Sequence, residues 1–273
     1  MATYDESTYG ERIAEIYDNF FQEFQTNAPA AVEFLAPLGK GRRVLELGIG
    51  TGRIALPLAQ RGIRIYGVDA SPAMVAKLRG KPGGAEIPVE TGNFANLKIG
   101  GHFSLIYVVF NTFFGILTQD EQVRCFSRVA KRLTPDGSFV IEAFMPDLAK
   151  FDRGQRISTS VISDERTILN VSKLDAVAQR VRSQHIVIDD AGTHRYPVEV
   201  RFAYPAELDL MARIAGMRLR ERWGGWDRRP FTSDSGNHVS VYELVPQPVV
   251  TPIKNAKRAR PKIVPGEKRR RAE

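Results

Sequence analysis

The sequence predicts an α/β fold in which a doubly wound, mostly parallel seven-stranded sheet carries an antiparallel β insertion after its fifth strand. Two observations lead to this prediction. Short apolar, strand-like runs alternate with helical patterns five times between residues 43 and 146, which is typical of parallel sheets covered by helices on both faces. After Pro146 the helical periodicity stops, and runs rich in Val, Ile and Thr with alternating polarity indicate antiparallel strands.

Five strands and the helical patterns between them define the parallel part. The run 103–110 is almost continuously apolar, as expected of a central strand that is buried on both faces. The other predicted strands are 43–47, 64–68, a weak one over 89–92, and 138–144. Helices are predicted over 54–60 and over 119–133, and a turn at 134–137 follows the second of these. Another helix is predicted to begin after the Ser71 cap, with Pro72 in its first turn.

Further elements are predicted on either side of this core. Ile13, Ile16 and Tyr17 begin an apolar stripe with helical spacing over residues 11–26. The insertion contains three predicted strands, at 167–174, 178–188 and 194–202. A helix over 205–215 and two strands, 218–226 and 238–244, complete the sheet.

The composition excludes several classes of function. A single cysteine, Cys125, rules out an intramolecular disulfide and an iron–sulfur cluster, so we expect a reducing, cytoplasmic setting and no metal site. No apolar run reaches the roughly 18 residues that a membrane-spanning helix needs, so no membrane contact is expected. The acidic residues among the first twenty do not fit a signal peptide.

The net charge of +8 is concentrated at the end of the chain. Residues 251–273 contain nine basic and two acidic residues, so this tail carries +7 and the rest of the chain +1. Basic tails can bind nucleic acid through its phosphates, but a proline-punctuated, solvated and disordered end is the simpler interpretation.

A glycine-rich loop and an acidic residue predict a nucleoside-binding site. Gly48, Gly50 and Gly52 stand between a strand and a helix, where glycines allow a tight turn and a close approach of a ligand to the backbone. The helix N-terminus offers unpaired N–H donors to an anionic group. Asp69 ends the next strand, where a carboxylate can accept both hydroxyls of a ribose.

The spacing disfavours a dinucleotide in this site. The dinucleotide fingerprint G-x-G-x-x-G requires its third glycine at the position of Arg53. Glu46, two residues before the first glycine, also differs from that fingerprint and can hold an amino group.

Residues 46–52 resemble the first motif of the class I S-adenosylmethionine-dependent methyltransferases, which reads acidic residue, x, Gly, x, Gly, x, Gly. Asp69 matches the second motif, and Phe110-Asn111 and the turn at 134–137 match later landmarks. Asn93 stands where the family often has an aspartate, and its amide oxygen can still accept a hydrogen bond from adenine. The resemblance covers residues 40–146 and, more loosely, the last helix and strands. Within the family, the chain is similar to small-molecule N- or O-methyltransferases, including those that act on amino sugars.

The resemblance implies a Rossmann-like fold, S-adenosyl-L-methionine as the cofactor and a small molecule as the methyl acceptor. The implied cofactor-binding residues are Glu46, Gly48, Gly50, Gly52, Arg53, Asp69, Ala70, Asn93, Phe94 and Phe110. Contacts with the acceptor are expected from Tyr9, Tyr17, Asn111, Phe113 and Trp226.

Five segments follow from this interpretation. They are an N-terminal helical lid (1–38), the S-adenosylmethionine-binding core (39–146), an antiparallel insertion that caps the substrate (147–204), the last helix and strands of the core (205–246) and the basic tail (247–273).

A nitrogen or oxygen acceptor must lose a proton during methylation, and a histidine or a tyrosine could take it, but the residues leave open whether a base is used. The candidates are His185, His194 and His238. The residues leave the acceptor, the choice between nitrogen and oxygen, and the oligomeric state open.

Three alternative functions stay open at this point. They are an RNA methyltransferase that uses the basic tail, a NAD-type oxidoreductase, and a module that binds the cofactor without turnover. The sequence at 111–114 reads Asn-Thr-Phe-Phe rather than the Asn-Pro-Pro-Tyr type of amino-directed base methyltransferases, which disfavours the first.

Overall fold

The computed structural model describes residues 4–5, 7–20, 27–39 and 41–246, so the basic tail lies outside the described residues. In chain order the strands are β1 (Arg43–Leu47), β2 (Arg64–Asp69), β3 (Val89–Thr91), β4 (Phe103–Val108), β5 (Leu133–Phe144), β6 (Gln155–Ile162), β7 (Arg166–Asp175), β8 (Arg180–Asp189), β9 (Gly192–Arg201), β10 (Met217–Trp223) and β11 (Asn237–Leu244). The helices are α1 (Thr8–Ile13), α2 (Tyr17–Phe20), α3 (Ala28–Gly39), α4 (Ala55–Gln60), α5 (Pro72–Arg79), α6 (Gln119–Ala130) and α7 (Pro205–Ile214). None of the helices in the described ranges is long and apolar enough to cross a membrane.

The predicted fold class is confirmed. Seven strands form one sheet in the order β3-β2-β1-β4-β5-β11-β10. Strands β1 to β5 run parallel, and β11 pairs antiparallel with both β5 and β10. The strand order reverses between β1 and β4, and ligands of open α/β sheets bind in the crevice outside the carboxyl ends of the strands at such a switch point.

Two apolar layers cover the faces of this sheet. On one face, Leu105, Tyr107 and Val140 pack under α3 and α4. On the other face, Ile106 and Phe139 pack under α6 and α7. Burial on both faces explains why the sequence of β4 is continuously apolar.

The insertion is a separate antiparallel sheet in the order β6-β7-β8-β9. It contains four strands rather than the three that the sequence predicted, because β6 was missed. This edge strand is half polar and mostly exposed, so it lacks the apolar alternation by which strands are recognised.

The predicted helix over 11–26 is wrong in its described part. The structure has two short helices, α1 and α2, joined by a turn at 14–16, and residues 21–26 lie outside the described ranges. Glu11 accepts hydrogen bonds from Ser71 and Ala73, and Asp18 accepts one from Thr51. Tertiary hydrogen bonds thus fix each short helix separately, although the apolar spacing would allow one continuous helix.

The turn predicted at 134–137 is part of β5. Leu133 pairs with Phe103, and pairing then resumes between Ser138 and Leu105, so the four residues between them bulge from the ladder.

A buried arginine ties the end of the insertion to the main core. The Arg201 side chain is 6% exposed and forms a 2.7 Å ion pair with Glu207 of α7. It also donates hydrogen bonds to the side-chain oxygens of Gln122 and Gln179. The Nε2 amide of Gln122 in turn donates to the Arg201 carbonyl at 2.9 Å, so the side chains and the backbone are held together.

We predict that Arg201→Ala lowers the free energy of unfolding by about 3 kcal/mol or more, because it removes the ion pair with the half-buried Glu207 and leaves the amide oxygen of the buried Gln122 without its donor. Urea titration of both proteins measures the change. Arg195→Ala, at an exposed position of the same strand, is the control and should change stability by less than about 0.5 kcal/mol. A loss below 1 kcal/mol for Arg201→Ala would contradict the role of this arginine as an anchor.

Candidate functional site

The glycine loop turns sharply at the carboxyl end of β1. Gly48, Gly50 and Gly52 all have positive φ values, of 73°, 53° and 83°. A Cβ atom at Gly48 would lie 2.4 Å from Thr112, and one at Gly52 would lie 2.4 Å from Leu78. Both the backbone conformation and the packing therefore require glycine here.

Asp69 links this loop to the N-terminus of α5. One oxygen of its carboxylate accepts the Gly50 N–H at 2.7 Å, and the other accepts the Ser71 N–H at 2.9 Å. Burial raises the pKa of Asp69, and these two hydrogen bonds oppose the shift because they favour the ionised form. The loop after β1 is therefore held by the residue that ends β2.

Glu46 is a buried acid beneath the loop. The residue is 3% exposed, and its carboxylate accepts a 2.9 Å hydrogen bond from the Tyr107 hydroxyl on the adjacent strand β4. Burial raises the pKa of Glu46 to about 8, although Tyr107 and the charge of Arg53 oppose the shift. A cationic group bound beside it would favour the ionised form.

Arg53 extends over the aromatic ring of Phe110. Its guanidinium carbon lies 3.6 Å from the ring centroid, and its Nη2 lies 3.4 Å from the Tyr17 hydroxyl. These three residues, together with Glu46, Gly48 and Gly50, line a cavity at the switch point.

The loop after β4 is a strained turn that a buried carboxylate holds in place. Phe110 and Asn111 both have left-handed backbones, with φ values of 56° and 64°. The carboxylate of Glu142 on β5 accepts the Phe110 N–H, and the Asn111 side chain accepts the Phe144 N–H at 2.7 Å. Burial raises the pKa of Glu142 to about 7. Left-handed backbones persist in non-glycine residues only where such contacts fix them.

The N-terminal helices close over this edge of the sheet. Glu11 accepts hydrogen bonds from the Ser71 hydroxyl at 2.7 Å and from the Ala73 N–H at 3.0 Å. Asp18 accepts the Thr51 hydroxyl at 2.7 Å and forms a 2.7 Å ion pair with Lys81. The N-terminal segment is therefore attached to the start of α5 and to the glycine loop.

The same segment also contacts the insertion. Ile13 and Ala14 pack with Met74 of α5 and with Ile168 and Val187 of the insertion. The N-terminal helices thus lie between the main core and the antiparallel sheet.

The structure brings most of the expected cofactor-binding residues to one edge. Besides the residues above, Asn93 accepts the Ala95 N–H at 2.8 Å and thereby caps the short turn that contains the buried Phe94. Ala70 is half-buried between Asp69 and Ser71.

The expected acceptor-binding residues separate into two groups. Tyr9 and Tyr17 are half-buried beside the insertion. Phe113, however, is fully buried and packs edge-to-face against Phe126, so it does not face the cavity as the sequence analysis expected. Trp226 is 8% exposed and packs against Phe34 of α3 within the apolar core.

The three histidines have different environments. His238 is fully buried, and burial lowers its pKa to about 3, so its imidazole does not accept a proton near neutral pH. His194 is exposed. His185 is half-buried on β8, where burial lowers its pKa and Asn170 contacts its Nδ1. Within the described ranges, no cluster of histidine, cysteine and acidic residues could hold a metal ion.

Sequence reasoning missed Glu142, Asp18 and Asn170. Glu142 had a recognisable signal, because it is the only charged residue in the apolar run 138–144. Asp18 and Asn170 had none, since their partners are distant in sequence.

The raised pKa of Glu46 predicts how stability depends on pH. The native state keeps this proton up to about pH 8, whereas the unfolded chain loses it near pH 4.5, so ionisation destabilises the fold as pH rises between those values. We expect the stability of the wild type relative to Glu46→Gln to fall by at least about 1.4 kcal/mol between pH 5 and pH 8. Urea unfolding without cofactor at both pH values measures this difference, and parallel stability curves would contradict it.

Comparison with known proteins identifies the family. The family described as "Methyltransferase domain" matches residues 44–137. The cypemycin N-terminal methyltransferase of a Streptomyces species is 30% identical over 244 residues, which cover 88% of this chain and 98% of that relative.

Solved structures agree with this match. The CcbJ methyltransferase from Streptomyces caelestis has a TM-score of 0.84 at 40% identity, over 89% of this chain and 100% of that one. The amino pentose methyltransferase CalS10 from Micromonospora echinaspora, solved with S-adenosylmethionine bound, shares the fold with a TM-score of 0.63 at 21% identity, over 83% and 96% of the two chains. The alternative of a NAD-type oxidoreductase is therefore excluded. The chain belongs to the S-adenosylmethionine-dependent methyltransferases, and its cofactor is S-adenosyl-L-methionine.

Proposed function

We propose that this enzyme methylates an amine nitrogen of a small-molecule acceptor. The observation that carries the proposal is the covering of the cofactor edge. Hydrogen bonds that Glu11 and Asp18 accept hold the N-terminal helices against the start of α5 and the glycine loop, and the insertion packs against those helices. A binding edge that other segments cover in this way suits a small molecule better than a polymer.

Nitrogen is the proposed acceptor atom because of the relatives. The cypemycin enzyme is named for methylation of an N-terminus, and CalS10 is named for an amino pentose. A hydroxyl oxygen is the alternative, and it would need a stronger base than an amine does.

The cofactor is proposed to bind in the cavity beside the glycine loop. Glu46 is suited to the amino group of the methionine part, because a cation there would offset the burial of its carboxylate. Asp69 uses each oxygen for one backbone N–H and retains lone pairs for the ribose hydroxyls. The remaining proposed contacts are Gly48, Gly50, Gly52, Arg53, Ala70, Asn93, Phe94 and Phe110.

The bound cofactor supplies a methyl group that is already activated on a sulfonium. The protein therefore has to orient the acceptor nitrogen in line with that group and to exclude water. We assign the orientation to the turn at Phe110 and Asn111, which Glu142 fixes, and the exclusion of water to Tyr9 and Tyr17 of the N-terminal helices. The insertion is the proposed cap over the acceptor.

Nucleic acid is not the proposed acceptor. The basic tail on which that alternative depended lies outside the described residues, and no contact among the described residues supports it.

Replacing Asp69 with Ala should raise the dissociation constant of S-adenosylhomocysteine by at least tenfold, because the ribose loses its partner and the Gly50 N–H loses its acceptor. Isothermal calorimetry measures the constant. Asp69→Asn keeps one acceptor oxygen, so its dissociation constant should lie between those of the wild type and Asp69→Ala. Asp136→Ala, an exposed carboxylate at the other end of the sheet, is the control and should stay within about twofold. An unchanged constant for Asp69→Ala would remove Asp69 from the site.

The acceptor class can be tested with paired compounds. We expect S-adenosylhomocysteine to be released with glucosamine, proline or a dipeptide with a free N-terminus, and not with glucose, lactate or the N-acetylated dipeptide. Mass spectrometry should find a gain of one methylene mass on the amine. Turnover with the hydroxyl compounds alone would contradict an amine acceptor and support the alternative, a hydroxyl oxygen.

A further inference from the structure

A buried acid and a buried phenol lie side by side at the switch point of the sheet. Glu46 on β1 and Tyr107 on β4 are opposite each other in the parallel register, and both are buried. The Tyr107 hydroxyl donates to Oε2 of Glu46 at 2.9 Å. Because the strand order reverses between these two strands, the pair lies beneath the crevice in which ligands of such sheets bind.

The carboxyl group of Glu46 lines the cavity beside the glycine loop, and within the described ranges it is in no ion pair. The titratable and charged groups around it are Arg53, which favours its ionised form, Asp69, which disfavours it, Tyr17 of α2 and Tyr107. A carboxylate without an ionic partner is costly to bury. Burial therefore raises the pKa of Glu46 to about 8, and the cofactor-free protein keeps this proton at neutral pH.

Tyr107 acts on this acid as a hydrogen-bond donor. Burial and the neighbouring Glu46 raise the pKa of Tyr107 well above its ordinary value, so the phenol keeps its proton at neutral pH. A hydrogen bond to a carboxylate is stronger than one to the neutral acid. Tyr107 therefore lowers the cost of ionising Glu46, and the carboxylate retains lone pairs for a further partner.

We propose that binding of the cofactor expels the proton of Glu46, and that Tyr107 is the positioning residue that lowers the cost of this ionisation. The inference rests on the proposed function, which places the amino group of the cofactor beside Glu46. In the step, the O–H bond of the carboxyl group breaks and its electron pair stays on oxygen. The proton leaves to water, and the carboxylate pairs with the ammonium group of the ligand. Each exchange of cofactor is thereby coupled to one proton.

This coupling makes the affinity for the cofactor depend on pH. Below about pH 8 a proton has to be removed before the ion pair can form, so the affinity falls as the pH falls. We expect the dissociation constant of S-adenosylhomocysteine to rise about tenfold from pH 7 to pH 6. Glu46→Gln has no proton to lose, so its constant should be higher at pH 7 and should change by less than about twofold over this range. A wild-type constant that is equally flat would overturn the proposal.

Calorimetry counts the proton directly. At pH 7 the amino group of S-adenosylhomocysteine is already an ammonium, so a proton released on binding comes from the protein. Titrations in phosphate and in imidazole buffer, whose ionisation enthalpies differ, should show that the wild type releases most of a proton for each molecule bound. Methylthioadenosine, which lacks the amino group, should release less than about 0.2 proton, as should S-adenosylhomocysteine with Glu46→Gln. Equal release by both ligands from the wild type would overturn the proposal.

Tyr107→Phe separates a positioning residue from a merely structural one. Without its donor Glu46 is harder to ionise, so S-adenosylhomocysteine should bind about tenfold more weakly than to the wild type at pH 7. At pH 9 ionisation costs little in either protein, and the difference should shrink to less than about threefold. A deficit that is the same at both pH values would indicate a structural role and would overturn the assignment of Tyr107.

Tyr242→Phe is the matched control for this variant. Tyr242 is also a fully buried tyrosine of the main sheet, and its hydroxyl donates to a carboxylate, that of Asp209, at 2.9 Å. Asp209 lies on α7, away from the cavity. The dissociation constant of Tyr242→Phe should therefore stay within about twofold of the wild type at both pH values.

These measurements are independent of the acceptor test. Binding of S-adenosylhomocysteine requires no acceptor, so the proton count decides the role of Glu46 even if no amine of the panel is methylated. Conversely, binding without release of a proton would overturn this inference and leave the choice of acceptor to the panel.

Discussion

Carboxylates at the carboxyl edge of the sheet hold the loops that form the site, and each one acts on the loop of a neighbouring strand. Asp69 at the end of β2 accepts the Gly50 N–H from the loop after β1. Glu142 on β5 accepts the Phe110 N–H from the loop after β4. Charge-assisted bonds from backbone N–H groups are among the stronger hydrogen bonds in proteins, and here they fix glycine and left-handed residues whose backbones would otherwise be mobile or strained. The position of the site proposed for the methyl donor depends on these contacts.

The N-terminal segment extends the same principle to the closure of the site. Glu11 and Asp18 attach two short helices to the N-terminus of α5 and to the glycine loop. The apolar side of those helices then packs against Ile168 and Val187 of the insertion. The antiparallel sheet is therefore located over the main domain through the N-terminal helices at one end and through Arg201 at the other. The N-terminal helices that cover the site and the glycine loop beneath them therefore belong to one hydrogen-bonded unit.

The sequence predicted those features that local patterns encode. Alternating strands and helices predicted the doubly wound sheet, and Glu46 with the spaced glycines predicted the family, because the tight turn and the acid lie within seven consecutive residues. Contacts between distant residues could not be predicted. The break between α1 and α2 results from tertiary hydrogen bonds that override helical periodicity, and the pairing of His185 with Asn170 depends on a strand register that no local signal reveals. Phe113 was misplaced for a similar reason, since a residue after a strand can turn towards the core as easily as towards the cavity.

The donor side of the proposed site depends on charge, and its acceptor side depends on the exclusion of water. The donor side combines buried acids with Arg53, so it can accommodate a cofactor that carries both an amino group and a carboxylate. On the acceptor side, the proposal assigns the exclusion of water to Tyr9 and Tyr17, and the hydroxyl of Tyr17 lies 3.4 Å from Arg53 Nη2. Exclusion of water favours the neutral amine, because an ammonium ion would lose its hydration there. The neutral form is also the one that reacts, since only the neutral amine has the lone pair that attacks the methyl group.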